Sequence, residues 1–388
     1  MPKKVLFCAT VDYHFKAFHL PYMKWFAEQG WEVHVAASGN MHLPYVHKKY
    51  DIPIQRSPFK QQNFQAYKKL TSIIDKNKYS IIHCHTPMGG VLARLAARKA
   101  RKQGTKVIYT AHGFHFCKGA PLINWLAYYP IERGLASYTD CLITINTEDY
   151  NLAAKHRFKA NCIEHVHGIG VDTEQFKLVK EEDKRDLKMK FGYKPDDFLM
   201  FYAAEFNKNK NQQFLLRSLA LLKDEAPNAK LLLAGKGPLM EDCKRLAIEL
   251  GIADMVHFLG YRTDIASLVP MCDIAVASSL REGLPVNIME AMACGLPVVA
   301  TDNRGHRELI KDAINGYLVS PKEEELFATR IQECIHSRLL REKIGIENVN
   351  RVKKYSIAQV GAELNNIYTQ YMLRDVDETK NQCDSAYI

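Results

Sequence analysis

Residues 278–301 read SSLREGLPVNIMEAMACGLPVVAT and compress a βαβ unit into a few turns. The apolar run 274–277 predicts a strand that empties into a polar turn. Pro285 stands where a first helical residue belongs, because it has no N–H to leave unsatisfied. Gly295 is placed to close that helix in a left-handed conformation, and Pro297 keeps it from restarting. A second strand, over 298–301, follows at once. A helix that opens at the carboxyl end of a parallel strand offers its N-terminus to an anion. Two carboxylates flank that position, Glu282 ahead of the helix and Glu290 within it. At about 1.5 Å per residue they stand roughly 10 Å apart, the length of a nucleoside diphosphate with a sugar on one end.

The same alternation extends along the whole chain. In the first half, strands are expected over 5–10, 33–37, 81–85, 107–111, 141–145 and 162–166, with helices over 20–29, 66–77, 91–103 and 148–158. Near residues 168–172 the pattern breaks at a glycine-containing turn, and a charged stretch follows over 177–190. Strands then resume over 199–204, 231–234, 256–259, 274–277, 298–301 and 317–319, with helices over 212–224, 239–250, 286–293 and 323–336. Strands alternating with helices predict an α/β fold with parallel sheets covered on both faces. The expected organisation is a first domain over 1–172, a second over 173–356, a closing helix over 357–373 and a poorly ordered polar tail over 374–388.

Composition narrows the function classes. A chain of 388 residues with 47% hydrophobic content accommodates two cores, and no stretch approaches the length of a membrane span. The apolar run after Lys3 and Lys4 is too short for a signal peptide and reads as a first buried strand. Ten cysteines include no C-x-x-C pair. Cys8, Cys84, Cys141 and Cys162 lie in strand-like runs, which fits small core residues in a reducing cytoplasm. The net charge of +10 calls for an anionic partner. No nucleic-acid-binding module is recognisable, so a diphosphate and anionic lipid headgroups account for the charge. Arg94, Arg98, Arg101 and Lys102 fall at helical spacing and form the expected membrane-facing patch, although most such runs are solvated faces.

The Glu-x7-Glu pattern in its "EGLP…ME-A…GLPVV" setting resembles the retaining GT-B glycosyltransferases of family 4, and the resemblance covers nearly the whole chain. It implies two Rossmann-like domains facing a cleft, with the last helix crossing back onto the N-terminal domain. It also implies that Glu282 holds the donor sugar at the reacting carbon while Glu290 binds the ribose hydroxyls. Gly283, Leu284, Val286 and Asn287 belong to the same diphosphate-binding turn. Lys210 matches a lysine that grips the departing diphosphate, but Glu205 stands where the family usually has arginine, so Lys208 or another cation has to compensate. Gly237, in Gly235-Lys236-Gly237-Pro238, is expected in the wall of the nucleotide pocket, and its alternative is a plain tight turn. Gly260, Tyr261 and Arg262 are expected beside the base. His112 is placed against the donor sugar. In the first βα loop, where many members have glycines, this chain has side chains, and His14, Phe15 and His19 form an expected acceptor site.

No metal site is expected. The pairs His83/His85 and His165/His167 share strand faces, but no carboxylate or thiolate pattern completes a ligand set. The only Asp-x-Asp, Asp375 and Asp377, falls in the tail. The expected activity is metal-independent transfer, with retention, of a hexosyl or N-acetylhexosaminyl group from a nucleoside diphosphate donor, UDP-linked by preference. The expected acceptor is a lipid-linked glycan of capsule or exopolysaccharide assembly, at the inner face of the cell membrane. A GT-B-like sugar-nucleotide 2-epimerase and a non-catalytic sugar-nucleotide sensor are the alternatives. The donor sugar, the linkage and the oligomeric state stay open at this level.

Overall fold

The computed structural model of the chain describes residues 2–384, with side chains through Met372. It has two compact units: residues up to Gly170 together with the last helix from Ala358, and Val171–Ile357. The boundary therefore falls at 170/171 rather than 172/173. The first unit holds seven parallel strands: β1 (Lys4–Val11), β2 (Glu32–Ser38), β3 (Lys48–Asp51), β4 (Ile81–His85), β5 (Lys106–Ala111), β6 (Cys141–Thr144) and β7 (Cys162–His165). Their order is β3-β2-β1-β4-β5-β6-β7. The second unit holds six: β8 (Phe198–Ala203), β9 (Ala229–Ala234), β10 (Val256–Gly260), β11 (Ile274–Ala277), β12 (Val298–Thr301) and β13 (Gly316–Val319), ordered β10-β9-β8-β11-β12-β13.

Each sheet starts at an inner strand, builds outward on one side, then returns to build on the other. The direction reverses between β1 and β4 and between β8 and β11. Loops leaving the carboxyl ends of those strand pairs run to opposite sides, which opens a crevice where ligands of α/β sheets bind.

The strands expected from apolar runs are all present. Missing from the sequence reading was β3, whose KKYD lies at a sheet edge with a partly exposed burial pattern and has no apolar period to detect. Also missed was the helix Leu122–Leu135, which follows Pro121 as its cap and runs unbroken through Pro130. The stretch expected as one helix over 91–103 is two, Pro87–Ala96 and Arg98–Arg101. The charged stretch after the boundary forms the helix Glu181–Lys190, and its Lys184 and Lys188 pair with Asp273 at 2.7 and 2.8 Å. Among the residues whose side chains are described, through Met372, the nine cysteines carry free thiols, eight of them buried.

The last helix, Ile357–Asp384, covers one face of the first sheet. Val360, Leu364, Ile367, Tyr368 and Tyr371 enter the same core as Phe7, Tyr22 and Phe26. Tyr368 is fully buried, with its ring 4.8 Å from that of Phe26 and its hydroxyl 2.9 Å from His83 Nδ1. Glu363 accepts from the His167 backbone N–H at 2.9 Å, and its other oxygen lies 2.8 Å from that ring's Nδ1. The crossing helix implied by the resemblance is thus part of the first unit's core. It continues past the expected end at 373, because residues 374–384 contain no glycine or proline to stop it. Residues 385–388 of the expected tail lie outside the described residues.

Candidate active site

The loops after β8 and β11, neighbours at the reversal point of the second sheet, are joined through several hydrogen bonds. Leu280 N–H donates to the Asn209 carbonyl at 2.7 Å, and Asn209 Nδ2 donates to the Arg281 carbonyl at 2.9 Å. Ser278 Oγ donates to the Lys210 carbonyl at 2.7 Å. Tyr202, fully desolvated below them, lies 2.7 Å from Ser279 Oγ. Held this way, Lys210 Nζ meets Glu282 Oε1 at 2.5 Å, with both side chains mostly buried. The structure therefore brings together two residues that are 72 positions apart and were assigned to one reacting centre.

Glu282 is positioned from a second side by a segment the sequence reading missed. Arg304 Nε donates to the Glu282 carbonyl at 3.0 Å. Gly305 lies so close that a Cβ there would stand 2.7 Å from Glu282 Cβ and 3.0 Å from its carbonyl carbon. The backbone of that segment is set by Asn303, whose Oδ1 caps the short helix Arg304–Leu309 and whose Nδ2 donates to the Ser279 carbonyl at 2.8 Å. The legible signal was Asn303, a helix-capping residue two positions after a strand.

The helix after Glu282 spans Val286–Ala293, with Pro285 as its cap rather than its first residue. Gly295 adopts φ +72°, and Leu296 N–H returns to the Ala291 carbonyl at 3.0 Å, closing the helix as expected. Asn287 spends its side chain on the fold: Nδ2 donates to the Ala203 carbonyl at 3.1 Å, and Oδ1 accepts from the Ile288 N–H at 3.0 Å. The backbone N–H groups of Val286 and Asn287 lie in the first turn and have no intrahelical acceptor. Gly283 and Leu284 form the turn that leads into it. Burial pushes the Glu290 carboxyl up to about 7, so near neutral pH it is poised between acceptor and donor.

Other expected contacts sort differently. A Cβ on Gly237 would come within 2.3 Å of the Phe206 carbonyl oxygen, and one on Gly235 within 2.0 Å of that of Ala204. The tight-turn reading therefore accounts for both glycines, which let the loop after β9 lie on the loop after β8. Gly260 takes φ +67° and its carbonyl accepts from the Gly235 N–H at 2.7 Å, so three adjacent loops are laced together. Tyr261 is exposed, and Arg262 is engaged by Asp264 at 2.5 Å. Glu205 is exposed and accepts from Asn207 at 3.1 Å, leaving the Lys210–Glu282 pair undisturbed. Lys208 is exposed as well.

In the first unit, side chains again gather at the reversal point. His14 and His19 follow β1, His85 ends β4 and His112 follows β5. His14 and His112 are half-buried. The expected acceptor residues Phe15 and His19 are 0% and 2% exposed, which corrects their assignment: Phe15 packs edge-on against Phe7 in the core, since the short helix Tyr13–Phe18 turns that face inward. A cavity of about 510 Å³ opens beside His14 and is lined by Tyr13, Phe18, Met88, His115 and Ile131 among others. Its apolar residues come from separate loops and helices, so no local motif announced them.

The basic patch is also corrected. Arg94 is 1% exposed: its guanidinium lies 3.9 Å from the Tyr109 ring centroid and pairs with Glu132 at 2.8 Å. Arg101 pairs with Asp140 at 2.9 Å. Only Arg98 and Lys102 of the four are exposed. Helical spacing could not reveal an acid 38 positions away.

Residues 183–351 match the family model described as "Glycosyl transferases group 1", and residues 4–146 match "Glycosyl transferase 4-like". The chain is 52% identical over 378 residues to the "Putative glycosyltransferase EpsD" of Bacillus subtilis (strain 168), covering 97% of this chain and 99% of that one. This chain belongs to the group 1 glycosyltransferase family. It is 29% identical over 298 residues to the UDP-Gal:alpha-D-GlcNAc-diphosphoundecaprenol alpha-1,3-galactosyltransferase of Escherichia coli, covering 74% of this chain and 76% of that protein. The crystal structure of Anabaena HepE in complex with UDP and glucose superposes with a TM-score of 0.77 at 19% identity, covering 95% of this chain and 100% of that one. The two Rossmann-like units are therefore those of the GT-B fold.

Gly305→Ala tests how strictly Glu282 is held. The added methyl meets backbone on Glu282, so relief requires the carboxylate to shift. A folded enzyme with reduced turnover and a stability loss of about 1–3 kcal/mol is expected, read by urea titration and donor-consumption assay. Unchanged turnover would mean that Glu282 does not need this placement.

Proposed function

We propose that the protein transfers a sugar, with retention, from a UDP-linked donor to a hydroxyl of a lipid-linked glycan in extracellular polysaccharide assembly. The observation that carries this reading is the Lys210–Glu282 pair beside a helix N-terminus. As the anomeric carbon–oxygen bond breaks, negative charge grows on the diphosphate and positive charge on the sugar ring. Lys210 and the Val286 and Asn287 N–H groups supply the first with a counter-charge, and Glu282 supplies the second. Without donor these two groups neutralise each other at 2.5 Å. Donor binding exchanges that contact for one with each end of the breaking bond. His112 is the residue of the first unit assigned to the donor sugar. The cations are protein groups, so magnesium and manganese have no place in the step. UDP as the nucleotide is supported by its presence in HepE and in the name of the Escherichia coli relative.

The lipid-linked acceptor and a peripheral site on the inner membrane face are supported by the helix Leu122–Leu135. Trp125, Tyr129, Glu132 and Leu135 turn inward. Leu122, Ile123 and Leu126 on the opposite face are 73%, 67% and 66% exposed, with Lys118 and Arg133 exposed nearby. Apolar residues flanked by cations suit the headgroup boundary of an anionic bilayer. Among the described residues no helix is long and apolar enough to cross a membrane.

Glu282→Gln is expected to lower turnover by about a hundredfold or more in buffer without added magnesium or manganese, while UDP binding is kept or strengthened because Lys210 is released. Lys210→Ala is expected to lower both turnover and UDP affinity. Equal loss in both variants through KM alone would reduce the pair to a binding clamp, and a strict need for added magnesium would remove the protein-cation mechanism.

The Glu290 carboxyl, raised to about 7 by burial, accepts ribose hydroxyls in its ionised form. UDP affinity is therefore expected to fall as pH drops below 7, by up to about tenfold per pH unit, and Glu290→Gln to flatten the profile. Calorimetric titration at several pH values measures it, and a pH-independent wild type would remove Glu290 from the ribose.

For the membrane face, Leu122→Asp with Leu126→Asp is expected to abolish co-sedimentation with phosphatidylglycerol vesicles and to spare transfer to a soluble acceptor. Unaltered sedimentation would return this helix to an ordinary solvent-exposed role.

A further inference from the structure

We infer that His14, His19, His85 and His112 form a binding site for one divalent transition-metal ion of the zinc class. Their residues lie at the carboxyl ends of β1, β4 and β5, three neighbouring strands of the first sheet. One ligand nitrogen from each ring lies within 4.8 Å of those of the other three. His14 and His19 approach to 3.0 Å through their Nε2 atoms, and His85 Nδ1 lies 3.2 Å from His112 Nε2. Tetrahedral coordination with arms of 2.0–2.1 Å places ligand nitrogens about 3.3 Å apart, so nitrogens that now lie within 4.8 Å of one another draw in by up to about 1.5 Å to close on an ion.

The hydrogen bonding of the cluster is incomplete without a further partner. His19 and His85 are 2% and 0% exposed, and each contact between the rings uses only one of its nitrogens. His19 Nδ1 and His85 Nε2 remain buried with no hydrogen-bond partner. An ion on the facing nitrogens, His19 Nε2 and His85 Nδ1, leaves these two unsatisfied, so it is the convergence of the four rings that points to a metal. The surroundings also suit a metal. Phe7 stacks parallel on His85 and Phe15 packs edge-on against both His19 and His85, giving an apolar shell. The half-buried His14 and His112 leave a path of entry.

The donor set chooses the ion. Four imidazoles without a carboxylate favour zinc, cobalt, nickel or copper and reject magnesium and calcium, which take oxygen ligands. This agrees with a diphosphate step that uses protein cations. Four protein ligands make a closed site of the structural type. It ties the turn after β1 to the ends of β4 and β5, so His14, His19 and His85 are positioning residues beside the cavity at His14, and His112, with one nitrogen on the ion, keeps only its other nitrogen for the donor sugar. The inference does not rest on the donor or acceptor proposed above, because its test reads metal.

Full-length chain without a polyhistidine tag, stripped with dipicolinate, is titrated with Co2+ and then Zn2+. One equivalent per chain is expected, with the intense visible d–d absorption of four-coordinate cobalt, bleached by Zn2+, and a raised melting temperature with Zn2+. His19→Gln and His85→Gln are expected to weaken binding by more than the roughly hundredfold that loss of a ligand's supporting hydrogen bond costs. His167→Gln, outside the cluster, is expected to bind like wild type. The inference is overturned if the wild type takes up no equivalent of either ion, if its cobalt spectrum is octahedral, or if a folded His19→Gln/His85→Gln double variant binds undiminished. The wild-type titration decides the matter even where a variant fails to fold.

Discussion

Reversal of strand order is the constraint on which both candidate sites depend. A parallel strand sends every following loop to its carboxyl edge, and loops part only where the chain changes direction of growth across the sheet. In the second unit that place lies between β8 and β11, and their loops bring Lys210 to Glu282. In the first it lies between β1 and β4, where His14 and His19 meet His85. The same rule, applied to two different loop sequences, yields an ion pair in one unit and a cluster of imidazoles in the other.

The ion pair has a physical cost that explains its setting. Two charged groups lose hydration as they are buried, and such a pair is retained where it has work to do as readily as where it stabilises. Here the surrounding bonds fix backbone rather than charge. Ser278, Tyr202 and Asn209 hold the Lys210 loop, while Arg304 and Gly305 confine Glu282. The carboxylate and ammonium are thus presented from rigid supports, and electrostatic stabilisation of a reaction costs least when the stabilising groups need not reorganise. Arg94 and Glu132 show the contrasting case. Their pair is enclosed with Tyr109 under the helix Leu122–Leu135 and fastens that helix to the sheet, leaving the apolar outer face of the helix uncovered.

Burial sets the proton chemistry of both units, with opposite results for acids and bases. It raises Glu290 toward neutrality and keeps the histidine cluster uncharged. A carboxyl near 7 changes its hydrogen-bonding role within the physiological range, whereas imidazoles held neutral keep theirs. The Glu290 carboxyl of the second unit therefore responds to pH near neutrality, and the imidazoles of the first do not.

Much of the fold was legible in the sequence because buried parallel strands are continuous apolar runs and the turn residues between them carry their own conformational demands. The strand–turn–helix around Glu282, closed by Gly295, was readable for that reason, and so was the apolar side of the crossing helix. β3 was hidden because an edge strand of lysines, a tyrosine and an aspartate has no apolar period. Arg94 was read as surface because helical spacing shows which residues share a side but not what faces that side. Phe15 and His19 looked like ligands in a loop rich in rings, yet the turn after β1 rotates both into the interior. Sequence by itself determined the α/β class, the two units and the residues around Glu282, since each follows from local periodicity or turn chemistry. Only the tertiary structure decided that Lys210 meets Glu282, that Gly305 confines it and that four histidines converge. Those contacts join residues tens of positions apart, and strand order alone sets their distance.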